Sequence, residues 1–215
     1  MNVIKSGNAV CFESGMEIDA DGDPACYHLS DDTGIKGDDF LSDGGNPGNW
    51  YGVLTDTGKP TGTPLIQGPQ DPKPGFLIST TAYCDHTKAL TDPRRYVDST
   101  KVQYISIPPE IEHMGVKMGD LCIVEYKGTW SSAIVADVGP HNKYGEGSVA
   151  LANSLHIPSS PRNGGTEAGV RYIIFPDTAL AFGADFSASA FKAFDDWGGK
   201  AKVTEAFGSW PALWC

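Results

Sequence analysis

Residues 121–137 read LCIVEYKGTWSSAIVAD, and this stretch decides the fold class. Two apolar runs rich in β-branched residues, LCIVEY and SAIVAD, flank Lys127-Gly128, which predicts a hairpin turning near that pair. Further runs of the same character follow on either side: GFLISTTAY (75–83), VQYISIP (102–108) and VRYIIFP (170–176). Gly or Pro bounds most of them, as expected for short strands. Only two segments read as helices. SVALANSL (148–155) places Leu151 and Leu155 on one face, with Ser148 suited to the N-cap. SASAFKAFDDWGG (187–199) carries Phe191, Phe194 and Trp197 at three-residue steps before a Gly stop. Many short strands and few helices predict a mainly β protein, one barrel with decorations.

That barrel is expected over residues 76–180, between an acidic, loop-rich part (1–75) and a C-terminal helical extension (181–215), all within one domain. The first part contains DADGDP, DDTGIKGDD and SDGGNPGNW, yet Tyr27, Phe40, Trp50 and Tyr51 are spread through it, which argues against a linker. DADGDP lacks the later glutamate of a calcium loop, so a turn held by Asx hydrogen bonds is the expectation. Asp19, which follows an alternating MEI segment that could enter the barrel, is a reserve candidate for the carboxylate that activates water.

Composition narrows the function classes. Hydrophobic residues make up 40% and charged residues 20% of the 215, which suits a folded globular chain. No apolar run approaches the roughly 18 residues of a membrane span. The net charge of −11 makes nucleic acid a poor partner and favours a cationic one. The five cysteines (Cys11, Cys26, Cys84, Cys122 and Cys215) form no CxxC pair and no zinc pattern. Disulfides are expected, with Cys84 paired to Cys122 and at least one thiol left over. The opening MNVIKSGNAV lacks a signal peptide's apolar region, so secretion is expected with the leader removed or by another route.

The hairpin runs directly into the chemistry. Residues 134–155, IVADVGPHNKYGEGSVALANSL, end a strand on Asp137, bend at Gly139-Pro140, and present Glu146 between Gly145 and Gly147. Alternation puts Asp137 on the face of Ala133 and Val135, where a charge is disfavoured. The flanking glycines leave room around Glu146. Two such carboxyls suit hydrolysis of a glycosidic bond, one protonating the leaving oxygen and the other activating water. The ordinary alternative is a turn aspartate and a glutamate stabilised near a helix start.

ADVGPHNKYGEGSVALANSLHI resembles the signature of the fungal-type chitosanases, glycoside hydrolase family 75. MEIDADGDPACYH (16–28), GNPGNWYGVLTDTGKP (45–60), QGPQDPKPGFLISTTAY (67–83), RRYVDSTKVQYISIPPEI (94–111) and GDLCIVEY (119–126) follow that family's pattern in order. The resemblance implies a double-psi β-barrel core and inverting cleavage of β-1,4 bonds between glucosamine units of chitosan, without a cofactor or metal. It implies catalysis by Asp137 and Glu146, assigned here as general base and general acid. A helix dipole behind Glu146 opposes that division unless burial or nearby acids outweigh it. Chitosan is a polycation at mildly acidic pH, so an acidic groove would attract it. Asp85, Asp92, Asp98 and Glu110 are candidates for that groove. Tyr83, Tyr96, His141 and Tyr144 are candidate sugar contacts, with His141 the best placed between the two acids. Trp50, Tyr51 and Trp130 are better read as core. The rival functions are hydrolysis of another wall glycan such as peptidoglycan, and a non-catalytic wall-binding barrel. A monomer is expected.

Overall fold

A computed structural model describes residues 2–208. In chain order the strands are β1 (Ile4–Ser6), β2 (Ala9–Asp19), β3 (Gly45–Asn46), β4 (Asn49–Trp50), β5 (Tyr104–Ile107), β6 (Leu121–Tyr126), β7 (Thr129–Val138), β8 (Glu146–Ser148) and β9 (Thr166–Phe175). The helices are α1 (Pro109–Glu112), α2 (Val149–Ser154), α3 (Ser187–Trp197) and α4 (Gly199–Phe207).

Six strands close into a barrel in the order β2-β8-β5-β7-β6-β9, with β9 pairing back onto β2. The β2–β8 and β5–β7 pairs are parallel and the others antiparallel. The expected hairpin is β6–β7. Its turn residues Lys127 and Gly128 both have positive φ, 48° and 84°, the conformation of a two-residue primed turn whose twist matches the flanking strands. The runs at 102–108, 132–137 and 170–176 fall on β5, β7 and β9. GFLISTTAY forms no strand; Ser79 and Leu77 make only isolated bridges to Val53 and Ile66.

Alternation sorts the apolar side chains into two layers. Val10, Phe12, Ile105, Val124, Val135 and Tyr172 meet inside the barrel, and Leu151 and Leu155 of the α2 segment join them. On the outer face Cys11, Tyr104, Ile123, Ile173 and Phe175 pack under Ala190, Phe194 and Trp197 of α3 and Val203 of α4. The buried face of α3 is thus Ala190, Phe194 and Trp197; Phe191 is exposed rather than sharing that face. The spacing from 190 to 194 to 197 follows the helical repeat, which uniform three-residue steps fall short of.

The largest correction lies near the start. The barrel does not begin at residue 76: β2, at 11 residues its longest strand, lies in the part expected to be loops. Between β2 and β5 the chain is indeed mostly turns, built on a separate small core of Ala20, Cys26, Tyr27, Trp50, Val53 and Leu77. Arg162 clasps this region. Its guanidinium pairs with the buried Asp31, donates to the carbonyls of Gly37 (2.9 Å) and Asp39 (2.7 Å), and stacks on Phe40.

The expected disulfide is also corrected. Cys11, Cys26, Cys84 and Cys122 are all free thiols. Cys122 points into the barrel among Val124 and Ile174, whereas Cys84 is partly exposed with its Sγ 4.0 Å from His86 Nδ1. Burial pushes the Cys11 thiol up to about 12, so it behaves as a small apolar side chain. Cys215 lies outside the described residues. Among the described residues no helix is long and apolar enough to cross a membrane.

Candidate active site

Strand register builds the site. Glu17 on β2 lies opposite Glu146 on β8, Glu146 opposite Ser106 on β5, and Ser106 opposite Asp137 on β7. Four polar residues therefore cross four adjacent strands in one row. Asp137 reaches this row through a β-bulge. Ile105 pairs with Val135 but Ser106 pairs with Asp137, leaving Ala136 as the extra residue. The bulge turns Asp137 away from the interior face of Val135, where plain alternation would have placed it. It joins Ser106 instead, on the wall of a cleft of about 860 Å³. Two strand spacings separate Asp137 from Glu146, about 9.6 Å between their backbones.

Asp137 does not stand alone. Carboxylate oxygens of Asp19, Asp21 and Asp137 all lie within 4.8 Å of one another. Asp137 Oδ1 accepts from the Ala82 and Val138 N–H groups (3.0 and 2.8 Å), and Asp19 Oδ1 accepts from the Asp21 N–H (2.8 Å). Asp21 Oδ1 takes the hydroxyls of Tyr27 (2.8 Å) and Ser79 (3.0 Å). Burial first, and then the charge of Asp19, push the Asp137 carboxyl well above the ordinary range. Asp21 is raised in the same way, by burial and by both neighbours, and Asp19 by burial. Three acids this close share protons, or hold a hard cation, because they cannot all be ionised unaided.

Glu146 sits across the row in a different setting. Its Oε1 is 2.6 Å from Lys143 Nζ, which also lies 2.9 Å from Glu17 Oε2. Burial and the charge of Asp19 still raise it, against the pull of Lys143. Burial thus outweighs both the cation and α2, a helix of six residues capped by Ser148, whose Oγ accepts from the Leu151 N–H (3.1 Å). Gly139 backs the carboxylate: a Cβ there would lie 2.3 Å from Glu146 Oε2. The neighbouring glycines do something other than open space for a ligand. A Cβ on Gly145 would strike the Gly15 carbonyl, and one on Gly147 would meet Met16 and Leu151 in the core.

The cleft gathers Asp137 and Glu146 but not the other expected contacts. Asp85 is tied to Thr87 and Lys88, and Asp98 to Thr100 and Lys101, in local turns. The Tyr83 hydroxyl donates to the Leu180 carbonyl and the Tyr96 hydroxyl to that of Leu90. Asp92 caps a short 3-10 turn at Pro93–Arg95. His141 is exposed and paired with Glu110 at 2.9 Å. Tyr144 packs edge-on against Phe12 and lines a smaller adjoining hollow with Glu17 and Gly164. Trp50 is buried core and Trp130 packs on Phe194, whereas Tyr51 is exposed on the cleft wall.

The cleft's acids come instead from the early chain: Glu17, Asp19, Asp21, Asp39 and Asp43. DADGDP does form the expected Asx turns, at Asp19 and Asp23, while directing Asp19 and Asp21 at Asp137. The alternating MEI segment ahead of Asp19 was the one sequence signal for this arrangement. No protein-family model and no curated protein sequence matches the chain. The family resemblance accordingly rests on the motifs quoted above.

Proposed function

We propose that the protein is an endo-chitosanase that cleaves β-1,4 bonds between glucosamine units with inversion. The observation that carries this reading is the pair Asp137 and Glu146, set across Ser106 on the wall of an acidic cleft. Two strand spacings, about 9.6 Å between backbones, are of the size of the roughly 6.5–9.5 Å that inverting acid pairs need to admit a water. Glu146, buried and raised, donates its proton to the leaving oxygen. The Asp137–Asp19 pair, which together carry less than two full charges, accepts a proton from water on the other face of the sugar. Ser106 stands between them on the floor where that water would sit.

Substrate charge supports the same reading. Seven acids line the cleft, Asp137 and Glu146 among them, against Lys143 and Arg162, and both cations are already ion-paired. A chain of ammonium groups is drawn to such a field. The exposed ring of Tyr51 offers a stacking face for a pyranose. The two parallel strand pairs joined through the antiparallel β5–β8 contact support double-psi connectivity for the barrel. We place the enzyme outside the cell because its substrate is a wall polymer; the free thiols remove the disulfide argument for that location.

Asp137→Asn and Glu146→Gln, assayed for reducing ends released from fully deacetylated chitosan, test the assignment. Each is expected to lose about 10²- to 10⁴-fold in kcat. Wild-type turnover by either would remove that residue from the mechanism.

A further inference from the structure

The Lys143 ammonium is held between two carboxylates, 2.6 Å from Glu146 Oε1 and 2.9 Å from Glu17 Oε2. A lysine ammonium is a compact cation with three N–H donors. The 2-ammonium of a glucosamine unit has the same charge and the same donors. The two acceptors therefore stand at the spacing a primary ammonium needs, in the cleft beside the proposed general acid.

Exposure shows how such a site would exchange its occupant. The Glu146 side chain is 13% exposed but that of Glu17 is 72% exposed, so the bridge is closed at one end and open at the other. Lys143 belongs to the loop between β7 and β8, with Asn142 beside it at a positive φ of 60°. An ion pair with an open end contributes little net stability, so releasing it costs little. One cation leaving as another arrives keeps Glu17 ion-paired and Glu146 Oε1 accepting a hydrogen bond, while Glu146 Oε2 holds the proton it donates. An N-acetylated unit has no charge with which to make that exchange.

We infer that Lys143 occupies an ammonium subsite and that a glucosamine unit of the substrate displaces it, so that Glu17 and Lys143 together select deacetylated sugar. This rests on the chitosanase reading and gives it a specificity device. Calorimetric titration of a glucosamine tetramer and its N-acetylated counterpart into the Asp137→Asn protein measures it without turnover. Adding Lys143→Met should tighten the glucosamine tetramer about fivefold, the worth of an exposed ion pair. Adding Glu17→Gln should weaken it by a similar factor, and Lys143→Arg should leave it no tighter than the parent. The N-acetylated tetramer should not respond to any of these changes. With an unchanged melting temperature as the folding control, equal or weaker binding of the glucosamine tetramer by the Lys143→Met variant overturns the inference. Equal shifts for both tetramers, or binding of neither, overturn it as well. Release of reducing ends from chitosan by the wild-type protein is followed separately. If that release occurs while Lys143→Met has no effect on binding, only the subsite falls; if it does not occur, the function itself falls.

Discussion

Gly139→Ala separates damage to the site from damage to the fold. Gly139 does not have positive φ, so its backbone accepts alanine, and the reduced freedom of the unfolded chain favours the variant by about 0.4–1 kcal/mol. The obstacle is local. The new Cβ would lie 2.3 Å from Glu146 Oε2 and 3.4 Å from Ser106 Oγ. An ordinary contact begins near 3.4 Å, so the carboxylate must retreat by about 1 Å. Glu146 can swing aside, because the atom that must move is the free end of a side chain. Doing so strains its 2.6 Å contact with Lys143 and withdraws the proton donor from the cleft. A misplacement of about 1 Å at a reacting group costs about 10²-fold in rate, or about 2.7 kcal/mol of barrier. Gly139→Ala is therefore expected to lower kcat on chitosan about 100-fold while changing the free energy of unfolding in urea by less than about 1 kcal/mol. Reducing-end release and a denaturation curve on one preparation give both numbers. Undiminished kcat would refute the placement of Glu146 as the proton donor. A loss of stability that accounts for the whole loss of activity would refute the local argument.

Two further outcomes follow from the clasp and from the buried acids. Arg162→Ala leaves Asp31 buried and unpaired and should destabilise the fold by about 3 kcal/mol, with Arg162→Lys recovering only part because one ammonium cannot span three acceptors; a change below about 1 kcal/mol in the denaturation curve would contradict this. Burial, with Asp38 adding to it, pushes Asp23 up to about 7, and burial with Asp43 and Asp19 does the same for Asp39. A carboxyl raised in the folded state binds more protons there than in the unfolded chain, so its contribution is complete below the unfolded value near 4 and is lost as pH climbs through 7. Asp31 works the other way: burial opposes, but Arg162 holds it low. The raised acids outnumber it, so the melting temperature should fall steadily from about pH 5 to about pH 8; a melting temperature that rises over that interval would show the cluster ionised and otherwise compensated.

The β-rich half of the molecule was legible because its signals are local. LCIVEY and its partner strand are β-branched runs around a turn pair whose positive φ values follow from Lys127-Gly128. Glu146 and Asp137 stand out by their setting between bends and glycines. β2 was not legible as a barrel strand: AVCFESGMEID is interrupted by the register shift between Ser14 and Met16, which breaks the alternation a reader follows. Missing β2 left Asp19 only a reserve candidate and hid Glu17, Asp21, Asp39 and Asp43, which line the cleft with it. The bulge at Ala136 was hidden for a related reason, since an extra residue shows only when the partner strand is known. Asp85 and Asp98 look in sequence just like cleft acids. What separates them is the threonine two residues on and the lysine three on, which close each into a self-contained turn. Lys143 was hidden because its role comes from two partners brought together by β2 and β8.

The central claim is that Glu146 and Asp137 act from opposite faces of one sugar with a water between them. Following the anomeric configuration of ends newly released from fully deacetylated chitosan, by proton NMR in the first minutes of reaction, tests it directly. The account predicts that the α-anomer appears first and then equilibrates. First appearance of the β-anomer, or no new ends at all, would contradict it.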